Sequence, residues 1–331
     1  MTVQESTGSR AERRRARLDA AQRDHRVLGF PYAVIRKYSD DDGARLAALI
    51  TYYGFLSLFP LLILAAVTVS AVLRDDAERR SQLIDAIVPT QFQDTVNNAL
   101  AALPSNGVAL TVGILGLVFS SLGLVTSTYH ALNHLAAVPH RARLESAPRY
   151  VRTVLVLLLL VVGVAGMGVL TLAAGAQGDR GATARIAAFA GSTLIVFLLL
   201  WAAIALLLPR RPRLTLIWPG AVIGSLAIAG ELTFGAALLP RLVAKSGPVY
   251  GSFAAIVGLF TLMYLVSQVL VFAGEVAIVR ARDLWPRSLD LTKPTDADER
   301  ALGALARMQE RMPVERVQAR FDAPPERGRD A

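Results

Sequence analysis

Residues 46–73 read LAALITYYGFLSLFPLLILAAVTVSAVL, a run of 28 positions with no charged side chain. A bilayer core of about 30 Å is crossed by about 20 apolar residues in helical form, so this run spans it with tilt. An isolated strand is excluded there, because lipid offers no partner for its backbone polar groups. Five more apolar runs follow at 108–135, 151–176, 186–208, 214–239 and 249–279. The expected fold is therefore all-α, a polytopic membrane protein with six transmembrane helices. The fourth and fifth runs are divided only by Pro209-Arg210-Arg211-Pro212-Arg213, which predicts a tight helical hairpin.

Composition points the same way. The 331 residues are 53% hydrophobic and 18% charged, with a formal net charge of +9. Soluble domains carry nearer about 25% charged residues. Here charge is confined to the ends and short connectors. A basic excess in such a chain suits cytoplasmic loops facing anionic headgroups better than nucleic acid. With no cysteine, disulfides, thiol nucleophiles and thiolate metal sites are excluded. No phosphate-cradling glycine loop, Walker lysine or Ser/His/Asp constellation is present, so no cofactor and no enzymatic activity are expected. The first apolar run begins after more than 40 mostly polar residues without a cleavage pattern, and no cleavable signal peptide is expected.

Outside the spans, residues 1–29 read as a basic, flexible cytoplasmic tail. Phe30, Tyr32, Val34 and Ile35 mixed with Arg36 and Lys37 suit a short helix in the membrane interface. Asp40, Asp41 and Asp42 place acids where the first span should start. The connector 74–106 carries Leu83, Ile84, Ile87 and Val88, then Phe92, Val96 and Leu100, at helical spacing around Pro89. It predicts a short amphipathic, extracytoplasmic helical connector. Residues 283–331 read as a charged cytoplasmic tail with one helix from Asp296 to Met312.

Seven of the 35 Lys and Arg residues (Arg74, Arg79, Arg80, Arg180, Arg185, Arg241, Lys245) fall on one side of the six-span arrangement. The other 28 fall on the opposite side, including Arg141, Arg143, Arg149 and Arg152 in one short connector. The positive-inside rule puts that side, and both termini, in the cytoplasm.

Within the spans, small residues form seams suited to close helix packing: Gly116, Ser120, Gly123 and Ser127; Gly220 and Gly224; Gly247, Gly251 and Ala255. They serve either packing inside the bundle or a homo-oligomer. Ionisable groups tell more, since insertion scales put a charge at mid-bilayer near about 2.5–3.5 kcal/mol. Glu231, Gln268 and Glu275 are the candidate path residues. Glu231 could be protonated, paired with another helix, or lining a wet cavity. Glu275 could reach the interface, pair with a basic residue, or line the path. Tyr53 and Ser57 share a face, and Pro60 frees the Leu56 carbonyl, which favours a kink. His130 and His134, four apart with His140 nearby, could bind zinc. No HExxH pattern accompanies them, and interfacial histidines are the plainer reading, so no metal is expected.

Three stretches resemble the YihY/BrkB family, bacterial inner-membrane proteins once named ribonuclease BN. The first is Ala47-Ala48-Leu49-Ile50-Thr51-Tyr52-Tyr53-Gly54-Phe55-Leu56-Ser57-Leu58-Phe59-Pro60-Leu61-Leu62. The second is Ala131-Leu132-Asn133-His134. The third runs from Tyr250-Gly251-Ser252-Phe253-Ala254-Ala255 to Gly274-Glu275. The last reads Ala273-Gly274-Glu275 where the family has Gly-Ala-Glu, and Glu231 matches no family motif. The likeness covers roughly residues 30–282. It implies a six-span domain over 30–282, in the cytoplasmic (inner) membrane, without a settled activity. Members of the YhjD-like branch are associated with lipid export, which makes membrane lipids the expected partners. Two functions remain open: a passive or ion-coupled transporter of a lipid or other envelope molecule, and a non-catalytic scaffold for an envelope-assembly partner.

The charge asymmetry carries a topological expectation. Alkaline phosphatase fused after residue 331 should be inactive in intact cells, and the same reporter inserted in 74–106 should be active. The reverse pattern would invert the orientation.

Overall fold

A computed structural model of the 331-residue chain describes residues 17, 19–23, 25–72, 108–143, 146–175, 181–209, 214–245, 247–290 and 292–321. Among these there are helices and no strands. The helices are α1 (Arg26–Asp40), α2 (Gly43–Val72), α3 (Val108–Leu135), α4 (Ser146–Gly175), α5 (Gly181–Leu207), α6 (Leu214–Lys245), α7 (Gly247–Ala281) and α8 (Asp296–Arg307). Among the described residues, five hold a stretch long and apolar enough to cross a membrane: 114–135, 147–168, 186–207, 217–235 and 253–281. Of the opening stretch, residues 46–72 are one continuous helix within α2. The connector 74–106 and the turn 210–213 lie outside the described residues.

Each long helix packs on the next, α2 on α3, α3 on α4, and so on to α7, which returns to α2 and closes a ring. The driving term is close packing, because lipid offers no hydrophobic force to bring helices together. Two of the small-residue seams lie at these contacts. Gly116 faces Pro60 and Gly123 faces the Tyr53 ring, so the α3 seam receives α2. Gly220 sits against the Ala273 carbonyl and Ala277, and Gly224 against Ala273 and Leu200. Gly274 lets α7 approach Leu132 and Leu135 of α3. Large apolar side chains such as Phe119, Val162, Ile186, Phe234 and Phe253 are exposed around the outside. An apolar outer surface of this kind suits a bilayer, since water would make it a liability.

One end of the ring is covered by α1, α8 and the segments around them. Here the structure departs from the local reading of the acids. Asp40 ends α1 instead of opening α2, and Asp41 caps α1 and accepts from Lys37. Asp42 takes a left-handed conformation (φ 53°), and its backbone carbonyl accepts from the amides of Arg45 and Leu46. An aspartate tolerates that conformation better than most residues. The expected C-terminal helix also ends early, at Arg307. Beyond it the chain continues in turns, and the backbone carbonyls of Met308 and Glu310 accept from the amides of His140 and Arg141.

The start of α8 follows local rules. Thr295 and Asp298 form a reciprocal capping box, with Asp296, Asp298 and Glu299 in the first turn and Arg307 in the last. Its buried face is made of small residues, Ala297, Ala301, Gly303 and Ala304, so α8 lies close on the bundle.

Gly220 gives the sharpest test of the packing. A methyl there would meet the backbone of α7, which cannot rotate away, whereas one at Gly168 meets nothing within 4 Å. Overpacking costs about 1–3 kcal/mol. Gly220→Ala should lower stability in detergent by that amount, measured by thermal or denaturant unfolding, while Gly168→Ala stays neutral or gains slightly from helix propensity.

Candidate functional site

Two features stand out within this frame: an apolar cavity inside the ring and a buried ionic cluster at its covered end. The cavity has a volume of about 450 Å³ and is lined by residues from all six long helices. Leucine, isoleucine, valine and methionine make up most of its wall. Ser57, Thr128 and Ser267 also line it, but each hydroxyl donates to a backbone carbonyl of its own helix: Gly54, Leu124 and Met263, at 2.6, 2.9 and 2.8 Å. With their protons so committed, these hydroxyls leave the wall apolar in behaviour. Its volume falls in the range of ligand pockets, about 300–1,000 Å³.

The ionic cluster is built by α1, α3 and α7. The apolar face of α1 (Ala33, Val34) packs inward, while Val27, Leu28 and Ile35 stay exposed. Lys37 shares the inward face and is only 4% exposed, not directed at the interface. Its ammonium donates to Asp41 Oδ2 and, at 2.8 Å, to the Leu135 carbonyl at the end of α3. Glu275 Oε2 of α7 lies 3.2 Å from the same nitrogen. Asp41 is 1% and Glu275 0% exposed. One cation therefore serves two carboxylates out of contact with water. Desolvating such charges costs several kcal/mol per ion, and only close pairing offsets it.

Tyr38, next along α1, extends the contact with α7. Its ring stacks on Phe272 with centroids 4.2 Å apart and planes 5° from parallel. Its hydroxyl donates to Gln268 Oε1, and Gln268 Nε2 donates to Tyr264 Oη at 2.6 Å. Burial and then the neighbouring Tyr264 hydroxyl push the Tyr38 phenol above its ordinary range, so it stays a neutral donor near pH 7.

A second buried cation, Arg287 (1% exposed), staples the covering segments together. Its guanidinium donates to Asp298 Oδ1 at 2.5 Å and to Asp40 Oδ2 at 2.7 Å. Burial alone would raise the Asp298 carboxyl, but hydrogen bonds from Thr295, Arg287 and Ser288 outweigh it and hold it below the usual range. Arg141 pairs with Glu310 at 2.7 Å alongside.

The three candidate path residues are not brought together around the cavity, and none of them lines it. Gln268 and Glu275 are held in the α1–α7 contact. Glu231 is half-buried on α6, flanked by the cavity residues Ile228 and Leu232, and its Oε2 is enclosed without a hydrogen-bond partner among the described residues. Of the family-like positions, Tyr53, Ser57 and Pro60 lie on α2, and Gly274 and Glu275 on α7. Tyr250, Gly251 and Ser252 lie in the first turns of α7, and their side chains are outside the described part. His140 Nδ1 is 2.7 Å from the Met308 carbonyl, and no cluster of three metal-capable side chains occurs among the described residues.

Residues that sequence reasoning missed are Lys37, Asp41, Asn133 and Arg287. Asn133 is fully buried and donates to the Tyr129 and Leu207 carbonyls, at 2.8 and 3.1 Å, tying α3 to the end of α5. The four-residue spacing of Lys37 and Asp41 was a readable signal. Arg287 had none, because its partners come from both ends of the chain.

Residues 34–297 match the family described as virulence factor BrkB. The chain is 28% identical over 266 residues to a UPF0761 membrane protein of Rhodospirillum centenum, covering 76% of this chain and 57% of that protein. It is 25% identical over 274 residues to a protein named only as ribonuclease-like, YfkH of Bacillus subtilis, covering 78% and 98%. The chain thus spans little more than half the length of the first of these. No solved structure matches. The matched segment contains Lys37, Asp41 and Glu275 together.

Removing the shared cation should be costly, because it leaves two buried carboxylates without their partner. Breaking a buried ion pair from one side costs about 3–5 kcal/mol. Lys37→Met should lose stability of that order in detergent unfolding. An effect below about 1 kcal/mol would place Lys37 in solvent.

Proposed function

Because this chain belongs to the BrkB virulence-factor family of membrane proteins, we propose that it is a six-span protein of the cytoplasmic membrane that moves a lipid or other amphipathic envelope molecule. In this reading α2 supplies the sixth span, both termini face the cytoplasm, and the connector 74–106 lies outside. The observation that carries the proposal is the apolar cavity of about 450 Å³ at the centre of the helix ring. Its wall has no free polar donor among the residues described above, which suits an acyl or similar hydrocarbon chain and gives a headgroup nothing to bind. The headgroup would stay at the interface, where Arg143, Arg149 and Arg152 favour negative charge. Glu231 on α6, next in sequence to the cavity residue Leu232, is the ionisable group that would meet a passing headgroup. Movement would be passive or ion-coupled, since the chain carries no nucleotide-binding motif.

The test is translocation of fluorescent phospholipid in proteoliposomes, neutral and anionic, against empty vesicles. Ala203→Trp places an indole in the cavity wall. It should slow movement about tenfold, a barrier change of about 1.4 kcal/mol, with folding intact. Glu231→Gln should slow anionic lipid more than neutral lipid. No movement with any lipid would favour the second reading, a scaffold for an envelope-assembly partner, and partner capture would then replace the transport assay.

A further inference from the structure

The ionic cluster contains one acceptor too many. Asp41 Oδ2 and Glu275 Oε2 meet at the same Lys37 nitrogen, so the two buried carboxyl groups face each other across it. Ionised carboxylates are acceptors only, so two of them in that position repel, and neither can satisfy the other. Among the described residues, Asp41 Oδ1 and both Glu275 oxygens lack a hydrogen-bond partner, and all three are enclosed. Lys37 meets the deficit only in part: two of its three N–H groups go to Asp41 Oδ2 and the Leu135 carbonyl, and the third is left for an ion pair with Glu275 Oε2 at 3.2 Å, with none for Asp41 Oδ1 or Glu275 Oε1.

The surroundings do not supply a better balance. From α1 the cluster is faced by Lys37, Tyr38 and Asp41, with Asp40 alongside and already bonded to Arg287. From α3, His134 faces Asp41 and Lys37, with Arg45 of α2 farther out. Beyond the end of α7, Arg282 faces Asp41. The residues of α8 over the cluster are Ala301, Ala304 and Leu305, none of which is charged. Glu275 thus has Lys37 as its one close cation, and that cation is shared.

We infer that Lys37, Asp41 and Glu275 form a proton-binding site that holds one proton between the two carboxyl groups at neutral pH. A proton turns one carboxylate into a donor, so that its O–H bonds to the other carboxylate, and the cluster passes from net −1 to neutral. A metal cation fits less well, because the Lys37 ammonium already occupies the space between the oxygens. A void of about 10 Å³ lies beside the cluster, bounded by Lys37, Asp41, Arg282, Ala301 and Ala304. It is about the size of one water-sized sphere, room for a single water beside the carboxyl groups. The site sits where α1 docks on α7, so proton occupancy and α1 docking are linked. The inference holds whether or not the chain moves lipid.

Infrared spectroscopy of the purified full chain in detergent at neutral pH reads this directly, through the C=O stretch of a protonated carboxylic acid and its shift in D2O. Glu231→Gln removes the other intramembrane carboxyl and keeps the cluster, so this variant should retain one such band per chain. Glu275→Gln and Asp41→Asn should each lose that band, because a single remaining carboxylate is matched by Lys37. A Glu231→Gln spectrum without the band overturns the inference, whatever the folding of the other two variants. A band that persists in folded Glu275→Gln and Asp41→Asn overturns it as well.

Discussion

One ammonium held between two carboxylates, inside an otherwise apolar bundle, is the contact on which the arrangement of α1 rests. Charges out of water are tolerated only with partners in close geometry, and the three partners here come from separate places. Lys37 and Asp41 arrive on α1, the Leu135 carbonyl ends α3, and Glu275 comes from α7. Satisfying Lys37 therefore places α1 against both helices at once. The Tyr38–Phe272 stack and the Tyr38–Gln268–Tyr264 chain continue the same contact along α7.

Around that anchor the covered end is held by charge and the rest by shape. Arg287 ties Asp40 of α1 to Asp298 of α8, and Arg141 reaches Glu310, so segments far apart in the chain close over one end of the ring. The long helices meet through small residues, as where Gly220 and Gly224 admit α7 and Gly116 and Gly123 admit α2. Intrahelical bonds from Ser57, Thr128 and Ser267 keep the cavity wall apolar although it carries hydroxyls. Among the described residues, the buried ion pairs are thus collected at one end and hydrocarbon lines the cavity in the middle.

The long helices were legible because length and hydrophobicity are properties of a single run. The start and end of α3, Val108 and Leu135, are those read from the sequence, and the other long helices differ from the expected runs by up to six residues at an end. Asp42 does stand where α2 starts, while Asp40 and Asp41 belong to the end of α1 for a definite reason. Three acids before an apolar run resemble a helix start, but Asp41 is bound by Lys37 four residues earlier, which makes it the end of the preceding helix. For α8 the capping box was readable, and the stop at Arg307 was not, because it follows from bonds to His140 and Arg141 in another segment.

The sequence by itself determined that the chain is helical, apolar in long runs and similar to the YihY/BrkB family. These follow from local content: uncharged stretches of bilayer length, and motifs contiguous in the chain. Only the tertiary structure decided that Lys37 points inward, that Glu275 meets Asp41, that six helices enclose a cavity, and that Glu231, Gln268 and Glu275 stand apart from its wall. Each of these is a matter of which distant partner lies within a few ångströms. A buried charge is stable or unstable according to that partner, and the order of residues along the chain does not contain it.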